Sequence, residues 1–366
     1  MMKKISILFA LMLLSVYTMH AQEDPIDFKI NSYSIIINHA TSEAIEAINT
    51  AEKKNDINVV IGKVASQQDF DIVCENFPWI RKLEVSRHNE QIANIDAVSN
   101  LDSLTTLIFN ALKSSEETPL DLGPLAKLTK LTEINFYATR VTNTEALSGH
   151  DQLKNASFYM SDVNSISFLE TTPNIQKLSL YGFGHTFENY EPIAHLKDLK
   201  ELNIYMNKQA TDEALEVLKG LNKLEVVRMS NDKEVTSLDF LENNKNMQEV
   251  HANWCDSLTD FSALSKMKNL RVLEISDTAI ENLDLLNGLT NLADLDISRT
   301  KVADISQLKN CSNLGAINIS QTEIEDISPL FDCEQLWKVE LSSKVPNKQI
   351  EKLKELRPKI RIKVRD

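Results

Sequence analysis

Between Asn269 and Cys333 a fixed pattern of apolar and polar positions returns three times at a spacing of 22 residues. It reads Leu270, Leu273, Ile275, Thr278, Ile280, Leu283, Leu286, Leu289, then Leu292, Leu295, Ile297, Thr300, Val302, Ile305, Leu308, Cys311, then Leu314, Ile317, Ile319, Thr322, Ile324, Ile327, Leu330, Cys333. Two apolar residues separated by one polar residue, as at Leu273 and Ile275, mark a short strand with one buried face. The wider spacing of Leu283, Leu286 and Leu289 suits a tight helical or 3₁₀ return on the outer side. A unit this short cannot bury its apolar face alone, so each strand must stack beside the next in a parallel sheet.

The same inward pairs extend backwards to Ile35/Ile37 and forwards to Ile360/Ile362, fifteen in all, at intervals that start at 24 residues and settle at 22. The predicted fold class is therefore α/β, a leucine-rich repeat solenoid with a curved parallel sheet of about 15 strands. Residues 22–79 read as an N-terminal α/β cap continuous with the solenoid, 80–343 as the repeats, and 344–366 as a C-terminal helix-strand cap. In the first cap, Phe70, Val73, Cys74 and Phe77 form a helical stripe behind a capping box at Ser66 and Asp69, and Pro78 ends it. The segment from Thr211 to Gly220 reads as a full helix on the convex side, and Asn110 to Leu120 as a loop bulging from the ribbon.

Lys3 and Lys4, the apolar run from Ile5 to Tyr17 and the small residue Ala21 read as a secretory signal peptide over 1–21. A secreted or periplasmic protein is expected, with no lipid-anchor cysteine near the cleavage region, no C-terminal anchor and no membrane insertion after cleavage. The net charge of −14 disfavours phosphate backbones and anionic lipid, so nucleic acid is not an expected partner. Of the four cysteines, Cys311 and Cys333 take a column held by leucine at Leu289, Cys255 takes the place of Thr278 and Thr300, and Cys74 lies on a helix face. Packed thiols are expected, and no spacing suits a metal site.

The units ending in Asp304-Ile-Ser-Gln-Leu308 and Asp326-Ile-Ser-Pro-Leu330 resemble the 22-residue repeats of internalins and related bacterial surface or secreted proteins, from about Trp79 to Leu341. That resemblance implies a concave sheet that holds a protein. Internalin repeats favour asparagine at the turn where this chain has Thr139, Thr278, Thr300 and Thr322, whose hydroxyls are expected to bond the nearby backbone.

No nucleophile, base and stabilising donors converge in the pattern, so neither catalytic residues nor a cofactor is expected. His251 reads as a solvated histidine between Arg228 and Glu274, and Glu249, Glu274, Asp277, Asp294 and Asp296 as a solvated acidic patch. The concave columns are more informative. The column after each second inward residue reads Ser86, Asn110, Tyr137, Tyr159, Tyr181, Tyr205, Ser230, Asn253, Ser276, Ser298, Ser320 and Ser342. Beside the tyrosines lie Asn135, Ser157, Ser179 and Asn203, and after two of them Met160 and Met206. These ten residues are the expected ligand-binding surface, for a protein partner or, as the alternative, a glycan.

Overall fold

The computed structural model describes residues 27–51, 57–87, 89–110, 118–182, 185 and 187–365. The signal peptide expected over 1–21, His88 and the loop residues 111–117 lie outside the described residues. Sixteen strands form one sheet in chain order, and every neighbouring pair is parallel except the first. The inward pairs that define the repeat, from Ile35/Ile37 to Val339/Leu341, are all buried, and the last pair, Ile360/Ile362, is half-buried against the same core. This is a leucine-rich repeat solenoid whose single core runs the length of the sheet.

On the convex side the chain returns mostly through 3₁₀ turns such as Ser306–Asn310 and Ser328–Asp332, with Leu308 and Leu330 buried. The residue before each turn prepares it: Asp304 and Asp326 accept from the backbone N–H of Ser306 and Ser328 at 2.8 Å. Such side-chain bonds pre-form the bend. A second set of amides joins the repeats: Asn269, Asn291 and Asn313 donate to the carbonyls of Lys245, Lys268 and Thr290 at 3.0, 2.9 and 3.0 Å. Each asparagine follows the turn and satisfies a carbonyl of the preceding repeat that the sheet does not reach.

Aromatic residues reinforce the inner face of the early repeats. Phe109, Phe136 and Phe158 occupy one column, with ring centroids 5.7 and 5.8 Å apart and rings inclined by only 2° and 11°. Phe70 and Phe168 close the two ends of this row in tilted and edge-on contacts.

Two features add to the expected pattern, and one expectation needs correction. The sheet has one strand more than the pattern of inward pairs gave, because Phe28–Ile30 folds back antiparallel on Ser34–Ile37. Asn31 builds the turn by accepting from the N–H groups of Tyr33 and Ser34, both at 2.8 Å. The open edge of the first parallel strand is thus covered by a strand, not by a helix. The Thr211–Gly220 segment is not a full α-helix: one α turn, Asp212–Leu215, passes into the 3₁₀ turn Glu216–Gly220. Leu215, Leu218 and Leu221 are all buried, and a spacing of three is the period that a 3₁₀ turn aligns. A further parallel pair, Leu120–Asp121 with Val141–Thr142, stands outside the main sheet and was not foreseen.

At the C-terminal end the capping box expected at the other end has no counterpart; instead the helix Asn347–Leu356 buries Ile350 and Leu353. The strand Arg361–Val364 then pairs with Lys338–Leu341. Among the described residues no helix is long and apolar enough to cross a membrane.

Two stability outcomes are expected. Phe136→Ala, in the middle of the stacked inner row, should cost about 3–5 kcal/mol in urea denaturation. Deleting 344–366 uncovers Val339 and Leu341, and the truncated chain should aggregate or lose cooperative unfolding in size-exclusion and denaturation experiments.

Candidate functional site

From the repeat of Ile134 and Phe136 onward, the geometry of the concave rim comes from a residue held in the left-handed region after most of the strands. Ala138, Met160, Met206, Asn231, Trp254, Asp277, Arg299 and Gln321 have φ between 50° and 63°. Each follows its strand, and all but Gln321 direct the N–H to a carbonyl of the next repeat, as with Met160 to Tyr181 at 2.7 Å and Trp254 to Ser276 at 2.9 Å. A non-glycine residue in this region costs about 1–2 kcal/mol, which the inter-repeat hydrogen bond offsets. Among these residues Met160, Trp254, Arg299 and Gln321 are exposed, while Met206 is half-buried.

The strand register brings the expected residues together. Asn135 pairs with Ser157, Ser157 with Ser179 and Ser179 with Asn203, and Tyr137 pairs with Tyr159. The rings lean on one another: Tyr137 and Tyr159 stack at 5.4 Å, Tyr159 and Tyr181 meet at 4.2 Å, and Tyr181 and Tyr205 at 4.7 Å. Arg87 closes the row, its guanidinium 4.7 Å from the centre of the Tyr137 ring. Burial and the neighbouring Tyr159 and Tyr205 push the Tyr181 hydroxyl up to about 12, so it stays a neutral phenol. Only Tyr159 is exposed; the other three are half-buried by their neighbours. Ser179 Oγ and Asn135 Oδ1 are buried without a hydrogen-bond partner among the described residues.

Beyond Tyr205 the column changes character. The serines from Ser230 to Ser342 are not an exposed continuation of the tyrosine row, because all five are buried. Ser298 and Ser320 donate their hydroxyls within their own repeats, to Asp296 at 2.7 Å and to Asn318 at 2.8 Å.

The expected acidic patch is solvated only in part: Asp294 is exposed, while Glu249, Glu274, Asp277 and Asp296 are half-buried and hydrogen-bonded. Arg228 bonds Glu249 at 3.0 Å, and Arg299 bonds Asp277 at 2.6 Å. His251 sits between Glu274 at 2.8 Å and Glu249 at 3.2 Å. It is a clamped, partly buried ring and not a solvated one. A carboxylate accepts only, so both contacts are hydrogen bonds only when both ring nitrogens carry protons. Burial disfavours the charge, but Glu274 and then Glu249 outweigh it and hold the imidazole above its ordinary value. Among the described residues no group of three or more histidine, cysteine, aspartate or glutamate side chains is placed to hold a metal ion.

Several residues that matter here escaped the sequence reading. A depression of about 450 Å³ joins the end of the tyrosine row to Arg228, His251, Asn253, Trp254 and Glu274. Trp254 carried no signal beyond being aromatic, because its outward direction comes from its left-handed backbone. Behind the surface, Asp232 is buried, accepts from the N–H of Asn207 at 2.8 Å, and is pushed up to about 9 by burial. The turn threonines behave as expected: Thr278, Thr300 and Thr322 donate to the carbonyls of Ile275, Ile297 and Ile319 at 2.7, 2.7 and 2.8 Å. Cys255, in the same column, donates through sulfur to the Met229 carbonyl at 3.3 Å. All four cysteines are buried free thiols.

Comparison with known proteins agrees with this architecture. Residues 268–310 match the family described as Leucine Rich repeats (2 copies). An internalin of Listeria monocytogenes is similar in structure, with a TM-score of 0.68 and 20% identity over 89% of this chain and 95% of that one. A leucine-rich repeat protein of Leptospira interrogans is similar at a TM-score of 0.64 and 16% identity, over 90% of this chain and 88% of that one. A plant peptide hormone receptor, solved in complex with RGF2, is similar at a TM-score of 0.50 and 13% identity, over 78% of this chain and 59% of that one. No curated protein matches the chain.

The clamp on His251 has a pH signature. An unfolded histidine titrates near 6.5, and the folded value is raised, so the folded state holds the extra proton between the two values. Its contribution to stability should be fully present below about pH 6.5 and lost as pH rises through the folded value. A proton-resonance titration of His251 should show the raised value, and Glu274→Gln should lower it.

Proposed function

We propose that the chain is a binding module that recognises a protein partner through its concave face, centred on Tyr137, Tyr159, Tyr181 and Tyr205. The observation that carries this is an uncharged band across four adjacent strands. Tyrosine rings form one side of it and Asn135, Ser157, Ser179 and Asn203 the floor. Such a face combines rigid aromatic area with adaptable hydrogen-bonding groups, the composition that antibody binding loops use against protein surfaces. Stacking fixes the rings before any partner arrives, so little rotamer freedom is left to lose on binding. Met160 and Met206 supply apolar, adaptable contacts at the rim. The internalin-like fold and the receptor solved with its peptide support the same reading. The N-terminal stretch 1–21 supports an extracytoplasmic location, where such a surface meets partners from outside the cell.

The test begins with affinity capture from extracellular fluid and cell-surface extracts, followed by titration of the purified captured protein. Tyr159→Ala or Tyr181→Ala should weaken that partner by about 2 kcal/mol, roughly thirtyfold, while the urea midpoint moves little. Tyr33→Ala serves as the control, since Tyr33 is 83% exposed in the turn at the far end of the sheet. Unchanged affinity in the Tyr159/Tyr181 double variant would remove the tyrosine band from the interface.

A further inference from the structure

We propose that the depression between Tyr205 and Trp254 is a saccharide subsite that takes one neutral sugar ring. The subsite shares Tyr181, Tyr205 and Asn203 with the band proposed for a protein partner but goes beyond that reading, because Trp254, Arg228 and Glu274 lie outside the band and Trp254 separates the two in the test.

The first argument is shape and surface. The depression measures about 450 Å³, within the range of small-ligand sites, and combines aromatic walls with a few polar groups at its base. Tyr181 and Tyr205 stand on one side and Trp254 on the other. A sugar ring presents flat faces of C–H groups to such rings and a rim of hydroxyls to the base.

The second argument is the set of unused hydrogen-bonding groups. Arg228 spends one terminal nitrogen on Glu249, and among the described residues its remaining N–H groups have no partner. Asn203 uses its oxygen to accept from the N–H of Tyr205 at 3.1 Å, which leaves its amide protons for a ligand. Glu274 engages His251 and Asn253 through Oε2 alone, at 2.8 and 3.0 Å, so Oε1 remains an acceptor. Donors and acceptors therefore stand side by side. Vicinal hydroxyls, which both donate and accept, match that arrangement better than a purely accepting or purely donating ligand.

The third argument is charge. Two cations, Arg228 and the doubly bonded His251, face two carboxylates, Glu249 and Glu274, and all four are joined by hydrogen bonds. Charges of both signs are present in equal number and already paired, so the depression offers no excess charge for an ionic ligand to neutralise, whereas a neutral ligand needs none.

The probe is an array of neutral and anionic oligosaccharides, followed by calorimetric titration of the retained compounds. Trp254→Gly is the informative variant, because φ is 60° there and glycine adopts that backbone without strain. Wild type should retain neutral oligosaccharides, Trp254→Gly should weaken them at least tenfold, and Trp254→Tyr should keep most of the affinity. Retention of no neutral oligosaccharide, retention of anionic ones only, or equal binding by Trp254→Gly would overturn the subsite. A protein partner that is lost in Trp254→Gly in the absence of any glycan binding would also overturn it, and would leave the protein-binding reading standing.

Discussion

The structure rests on one constraint: successive repeats are hydrogen-bonded in register along the strand, and from Ala138 onward most are bonded again through the left-handed residue that follows it. Strand pairing alone would allow the chain to leave the sheet in several directions. The N–H of the left-handed residue, bonded to the following repeat, allows only one. Because the bond is inter-repeat, the conformational cost of residues such as Met160, Trp254 and Arg299 is met only when the neighbour is in place. Cooperativity between repeats is built into the backbone as well as the core.

Register also converts a column of like residues into a continuous physical object. On the inner face, Phe109, Phe136 and Phe158 become a stacked row; on the outer face of the same strands, Tyr137 and Tyr159 do the same. The two rows share a backbone but not a role. Truncating the inner row leaves a cavity in a closed core, whereas truncating the outer row removes a cross-strand contact worth about 0.2–1 kcal/mol. Substitution among the tyrosines therefore costs the fold less than substitution in the inner row.

Beside the uncharged band, the next strands carry their charges as bonded pairs: Arg228 with Glu249, His251 with Glu249 and Glu274, and Arg299 with Asp277. The chain is strongly acidic overall, yet this part of the concave face holds much of its charge internally. The long-range field of this part of the face is correspondingly weaker than the net charge of the chain would give.

The sequence by itself determined the repeat, the buried pairs, the parallel stacking and the neighbourhood of the four tyrosines, because a period of two within a period of 22 leaves no other way to bury those residues. It determined the threonine turn bonds for the same reason, since those partners lie three residues away in the chain. What it left open was whatever depends on contacts between repeats. The antiparallel strand Phe28–Ile30 has no repeat to mark it, and the burial of Ser298 and its fellows is a property of the assembled sheet that their polar type does not announce. The pairing of His251 joins side chains 23 residues apart, and the outward aim of Trp254 rests on a φ of 60° that its residue type does not favour. Tertiary structure decided these because a side chain's direction and partners are fixed only when the next repeat supplies the hydrogen bond that holds its backbone.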